Sequence, residues 1–266
     1  SLLPAWKTLG QELKEIPLGR PVTEAPKVLV VGEIYVRRDD FAVDELVELF
    51  SAKGIIGKVS GIAEWIHYTD FVRDYEIKKR LALVPLYRKP FSREFRKMIY
   101  YNLEKSWKAR VERRFKKALA PSELLLEAPH QMKKIMANTT RHFLNLELNS
   151  EIAVSTGVAA TAMEEGYSGI VNISPFACLI GRVIEGLYTP WARERGYPVI
   201  SVEVDGNLLP PNLVNKLEIF MLNVLRFRAN PETEDLVARK EPPEEPLGQL
   251  PEEERREQVS SNPHNR

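Results

Sequence analysis

The chain has 266 residues, 38 lysines and arginines against 37 aspartates and glutamates, 44% hydrophobic residues and a single cysteine. That much apolar material supplies one large core or two smaller ones. One cysteine excludes an internal disulfide and a zinc or iron–sulfur site held by this chain's thiolates alone.

Taken in order, Lys27 to Val31 is a β-branched run that reads as a strand, and the helical pattern Phe41 to Lys53 follows it, with Asp39 and Asp40 as candidate caps. A weaker strand candidate spans Ile55 to Val59. Phe95, Ile99, Leu103, Trp107, Val111, Phe115 and Leu119 recur every four residues, which predicts one long amphipathic helix. A step of four overshoots a turn of about 3.6 residues, so this stripe should drift around the axis and meet different partners along its length. Gly169 to Ile173 is the next strand, then a helix over Leu179 to Arg195 with Ser174 as candidate cap and Pro175 at its first position. Pro198 to Val204 is the last strand, and Asn212 to Phe227 the last helix, with Leu213, Leu217, Phe220, Val224 and Phe227 on one face.

Strand followed by helix, repeated, implies parallel strands joined by crossovers. The expected architecture is therefore α/β: Rossmann-like parallel sheets flanked by helices. A first α/β half is expected over 1–74, a long helical connector over 75–146, a second half over 147–228 and a disordered, acidic, Pro-rich tail over 229–266. The tail carries ten acidic and five basic residues and almost no large apolar ones, too few to offset the entropy of ordering. The segment Arg88 to Lys117 has twelve basic residues and three acidic ones. Because its basic residues interleave with the apolar stripe, a solvated helix face is expected, with a docking face for an acidic partner as the next reading. No nucleic acid and no membrane partner is expected. No run approaches about 18 apolar residues and the N-terminus lacks signal-peptide order, so the chain is expected to be cytoplasmic. Starting at Ser1 rather than methionine, it is expected to be a processed product or a piece of something longer.

In an open parallel sheet, ligands bind beyond the carboxyl ends of the strands. There the sequence places Glu33 and Arg37 after the first strand, Pro175, Phe176 and Cys178 after the third, and Glu203, Asp205 and Asn207 at the fourth. Cys178 falls in the first turn of a helix, where unpaired backbone N–H groups favour a thiolate suited to ligating a metal or to acting as a reactive sulfur; a small buried hydrophobe is the alternative. Glu33 and Arg37 either line a site or close their loop by a salt bridge. Asp205 and Asn207 either line it or cap the last helix through a turn at Gly206. His67, His130 and His142 have no metal-like spacing, and no phosphate-cradling glycine loop is present.

The run Val31-Gly32-Glu33-Ile34-Tyr35-Val36-Arg37, followed by Asp40-Phe41-Ala42, Glu64-Trp65-Ile66 and Tyr68, resembles the 2-hydroxyacyl-CoA dehydratase-like family, in particular its acyl-CoA dehydratase activase-related (CoA-substrate-specific enzyme activase) branch. The second half agrees in order: Glu151 and Gly157, Gly169 to Asn172 leading to Pro175-Phe176-Ala177-Cys178, and Asp205-Gly206 before Leu217 to Met221. The resemblance covers roughly Lys27 to Val224. It implies the C-terminal α/β portion of an iron–sulfur protein in which Cys178 is one ligand of a 4Fe-4S-type cluster. The remaining cysteines would come from a domain preceding Ser1 or from a companion subunit, and low-potential electrons from an ATP-dependent activator protein. The chain departs from the family in lacking the other cysteines, in having Ala177 where relatives usually have glycine, and in its tail. A non-enzymatic interaction module of the same fold, and a CoA-binding enzyme without a cluster, are the alternative expectations.

Overall fold

The computed structural model describes residues 2–126, 131–148 and 150–229. His130 and, beyond the backbone of Ala229, the expected tail lie outside the described residues. The chain divides into two compact units: the described residues of 1–68 and 117–240 form one, and those of 69–116 the other.

The larger unit is built on four parallel strands. They are β1 (Lys27–Gly32), β2 (Ile56–Val59), β3 (Gly169–Pro175) and β4 (Val199–Val204), in spatial order β2-β1-β3-β4. β1 is covered on both faces, which explains its uninterrupted apolar run. In register, Val28 faces Gly57 on one side and Gly169 on the other. The two expected halves thus contribute two strands each to a single Rossmann-like sheet.

Helix α1 (Leu2–Lys14) packs on the short turn Ala120–Ser122, and at Gly10 it comes so close to the residues just before that turn that an added Cβ would lie 2.6 Å from the Ala118 carbonyl oxygen. Helix α2 (Asp40–Ala52) returns from β1 to β2, with Asp40 in its first turn, where the helix dipole favours a carboxylate. Leu46 and Phe50 of α2 pack on Val28, Val30, Val171, Ile173 and Val202. The last helix, here named α8 (Pro211–Ala229), joins the same core through Leu217, Phe220, Met221 and Val224, three of them stripe positions expected from the sequence.

Between α2 and α8 the chain forms α3 (Ala63–Ala82), α4 (Arg93–Leu119), α5 (Met132–His142), α6 (Glu151–Glu164) and α7 (Leu179–Glu194). Helix α6 packs on β1, and α7 on β3 and β4. The α5–α6 crossing is close: an added Cβ at Gly157 would strike the Ile135 carbonyl oxygen and the Thr139 hydroxyl. The Thr139 hydroxyl donates to the Ala153 carbonyl (2.6 Å), and Asn138 donates to the Thr161 hydroxyl (3.0 Å).

At the start of α7 the structure corrects the expected boundary. Ser174 and Pro175 do not begin the helix; they stay in β3, paired with Glu203 and Val204, and Cys178 takes the N-cap position. The ladder runs on because Phe176 N–H still donates to the Val204 carbonyl (2.9 Å).

In the smaller unit, the α3 residues from Thr69 face the α4 residues up to Lys116 through ion pairs. Lys108 meets both oxygens of Asp70 (3.2 and 3.1 Å), Lys105 meets Asp74 (2.8 Å), and Arg73 meets Glu104 (3.6 Å) while stacking over Tyr101. Among the described residues, no helix is long and apolar enough to cross a membrane.

Candidate functional site

The chain turns away in opposite directions from the adjacent strands β1 and β3, and the carboxyl edge at that divide is where an open α/β sheet forms its crevice. Gly32 makes the edge possible. Its φ of +112° is a left-handed conformation, and a Cβ there would strike the Ile173 carbonyl oxygen. The next residue, Glu33, donates its N–H to that same carbonyl (2.9 Å).

The Glu33 carboxylate accepts from Val36 N–H (2.8 Å), capping a short 3-10 turn over Val36–Arg38. The two alternatives for Glu33 and Arg37 therefore give way to a third arrangement. Arg37 is only 2% exposed and turns inward, where it meets the Ser60 carbonyl (3.5 Å), Glu64 (3.4 Å) and, more distantly, Glu151 (4.0 Å). The Ser60 hydroxyl bonds the second Glu64 oxygen, and Arg38 also reaches the Ser60 carbonyl (3.3 Å). Burial raises the Glu151 carboxyl above the ordinary range; Arg37 opposes that shift and the negative charge of Glu33 adds to it. Arg37 Nε and Trp65 Nε1 are buried without hydrogen-bond partners among the described residues. The result is a buried polar knot joining the loops after β1 and β2 to the first turns of α3 and α6.

The β3 side is open. Phe176 and Leu179 are 73% and 77% exposed, and the free thiol of Cys178 is half-buried between them in sequence. Ala177 holds a φ of 56°, the left-handed region that favours glycine. Its N–H donates to Glu203 (3.2 Å), whose other oxygen accepts from Arg182 (2.6 Å). Glu203 thus fixes the backbone that presents the thiol. Asp205 accepts from the backbone and side-chain N–H groups of Asn207 (3.1 and 3.2 Å) in a turn with Gly206 at φ +85°. This turn ends before α8 begins at Pro211, so Asp205 caps its own loop and not the helix. Tyr35 and Leu208, on the loops after β1 and β4, are also exposed, so apolar side chains line three consecutive loops of this edge.

The structure brings Pro175, Phe176, Cys178 and Glu203 together and removes Arg37 to the interior. Ser60, Glu64 and Glu151 were not among the expected site residues. The available signal was positional: each glutamate opens a helix that starts at the carboxyl edge. Among the described residues, no group of three histidine, cysteine or acidic side chains is placed to hold a metal ion. The donor set fits a single thiolate ligand and does not fit a cluster held by this chain alone.

A cavity of about 550 Å³ lies at the opposite edge, lined in part by Arg193, Tyr197, Arg226 and Phe227. Its arginines occupy the last turns of α7 and α8, where helix C-termini favour cations. No family model, no curated protein and no solved structure matches the chain.

Proposed function

We propose that the carboxyl edge is one half of a shared iron–sulfur site, to which Cys178 contributes one thiolate. Cysteines of another domain or chain complete a 4Fe-4S-type cluster, as the resemblance to 2-hydroxyacyl-CoA dehydratase and activase-related proteins implies. The observation that carries this reading is the free, partly exposed Cys178 at the N-cap of α7, with exposed Phe176 and Leu179 beside it. The exposed apolar residues suit a surface that a second polypeptide covers. The chain's own residues do the positioning: Glu203 holds Ala177, and Pro175 and Val204 extend the strand ladder to the base of the loop. When bound, such a cluster supplies one-electron chemistry at low potential, with an ATP-dependent activator protein as electron source.

The test is anaerobic iron–sulfur reconstitution of the chain together with the product of the adjacent upstream reading frame, read by EPR after reduction. Cys178→Ser should abolish or reshape the cluster signal while the two proteins still associate. An unchanged signal would refute the reading.

A second reading, an interaction module of the same fold without a cluster, draws on the same exposed edge and on the absence, among the described residues, of any three-ligand group. It expects association with the companion and no iron signal from either the parent protein or the Cys178→Ser variant.

A further inference from the structure

Helix α4 carries the middle of its apolar stripe, Ile99, Leu103 and Trp107, on the outside. Leu103 and Trp107 are 66% and 64% exposed, and Ile99 and Tyr100 are exposed with them. The side towards α3 is charged instead, because Glu104, Lys105 and Lys108 make the ion pairs with Arg73, Asp74 and Asp70. On a helix advancing about 100° per residue, Ile99, Tyr100 and Trp107 all fall within about 60° of Leu103. Arg96, Arg110 and Arg114 fall within about 20° of it on neighbouring turns, and all three are exposed. The acidic residues of α4, Glu94, Glu104 and Glu112, all lie about 100° or more away. The outer face is thus apolar at its centre and bears only positive charge.

We propose that this face docks an acidic amphipathic helix from a partner polypeptide. The charge pattern selects an acidic occupant, and a centre of Ile99 and Leu103 flanked by an indole suits interdigitation with leucine-like side chains of a helix. A second copy of the chain would bring arginines against arginines. The chain's own segment 230–266 is acidic but has few large apolar residues to cover the stripe. Single-stranded nucleic acid would stack on Trp107 and Tyr100 and leave the aliphatic Ile99 and Leu103 between them uncovered, so an oligonucleotide is a competing outcome of the test.

The probe is a fluorescein-labelled peptide of three heptads with leucine at a and d and glutamate at e and g, titrated into the full chain and read by fluorescence anisotropy. The control is a scrambled peptide of identical composition. The patterned peptide should bind at least ten-fold more tightly than the scrambled one. Leu103→Glu should weaken it at least ten-fold, and Arg110→Glu with Arg114→Glu should weaken it and flatten its salt dependence. Circular dichroism confirms that each variant keeps the thermal midpoint of the parent. Equal binding of both peptides, or indifference to Leu103→Glu, overturns the proposal. So does a preference for phosphatidylserine vesicles or a labelled oligonucleotide over the patterned peptide, or Leu103-dependent self-association in sedimentation.

Discussion

Arg37 and Glu151 show how a residue that looks like a ligand contact from sequence becomes part of the frame. Arg37 is buried with two carboxylates at 3.4 and 4.0 Å, separations longer than well-formed charge-assisted hydrogen bonds. Glu151 is correspondingly pushed towards its neutral form, mainly by burial. The linkage has a definite sign. The folded protein holds the Glu151 proton more tightly than the unfolded chain, so the stabilisation is complete below the unfolded value of about 4.3 and is lost as pH rises through the raised folded value. The stability of the parent relative to Glu151→Gln should therefore fall as pH rises above about 4, measured by urea unfolding at a series of pH values. A difference that grew with pH would instead mean that Arg37 keeps Glu151 ionised. Ala177 is a different kind of signal: a left-handed φ without a glycine, at the residue before the only thiol. The sequence marked that position only through its departure from the resembled family's glycine, because no spacing rule reveals a backbone angle.

At the scale of elements, α2 and α8 were legible because each buries one side in a common core, and α7 because it buries Ile184, Tyr188 and Trp191 while packing on β3 and β4; the strands were legible as short β-branched runs. Helix α4 was legible as a helix and misleading as to its face. Its apolar residues recur at four-residue spacing, which predicts a core stripe, yet the residues towards α3 are Glu104, Lys105 and Lys108. The pattern encodes two faces, and only the partner decides which is inside. The ion pairs that replace a core here are individually modest. Burial tends to raise the Asp74 carboxyl, and Lys105 and Lys78 more than offset this, leaving it below the ordinary range. Its contribution is therefore present above the unfolded value and is lost as pH falls through the lowered folded value. A double-mutant cycle of Asp74→Asn and Lys105→Gln should give a coupling of about 0.2–1 kcal/mol, reduced in about 0.5 M salt because these side chains remain partly solvated. A coupling insensitive to salt would place the pair in a drier environment than its exposure indicates.

For the whole molecule, the decisive fact is that β1 lies between β2 and β3. The sequence displays two strand–helix repeats separated by a long helical stretch, and local periodicity carries no information about which strands lie side by side. Pairing β1 with β3 joins residues about 140 positions apart, such as Leu29 with Ile170, and neither repeat covers its own apolar faces. Val28 and Val30 of the first need Leu217, Phe220 and Val224 of the second, and β1 also lies under α6. Contacts this distant in sequence make folding of the sheet one event. Fragments cut between 146 and 147 should therefore each lack a cooperative thermal transition and, when mixed, should regain one. The complex should show near-ultraviolet circular dichroism from packed aromatic residues such as Tyr188, Trp191 and Tyr197, all of which belong to the second fragment. If the second fragment alone unfolds cooperatively with that signal, β3, α7, β4 and α8 are self-sufficient. β1 would then be a guest on a finished surface, and the carboxyl edge that presents Cys178 would form without Gly32 and Glu33.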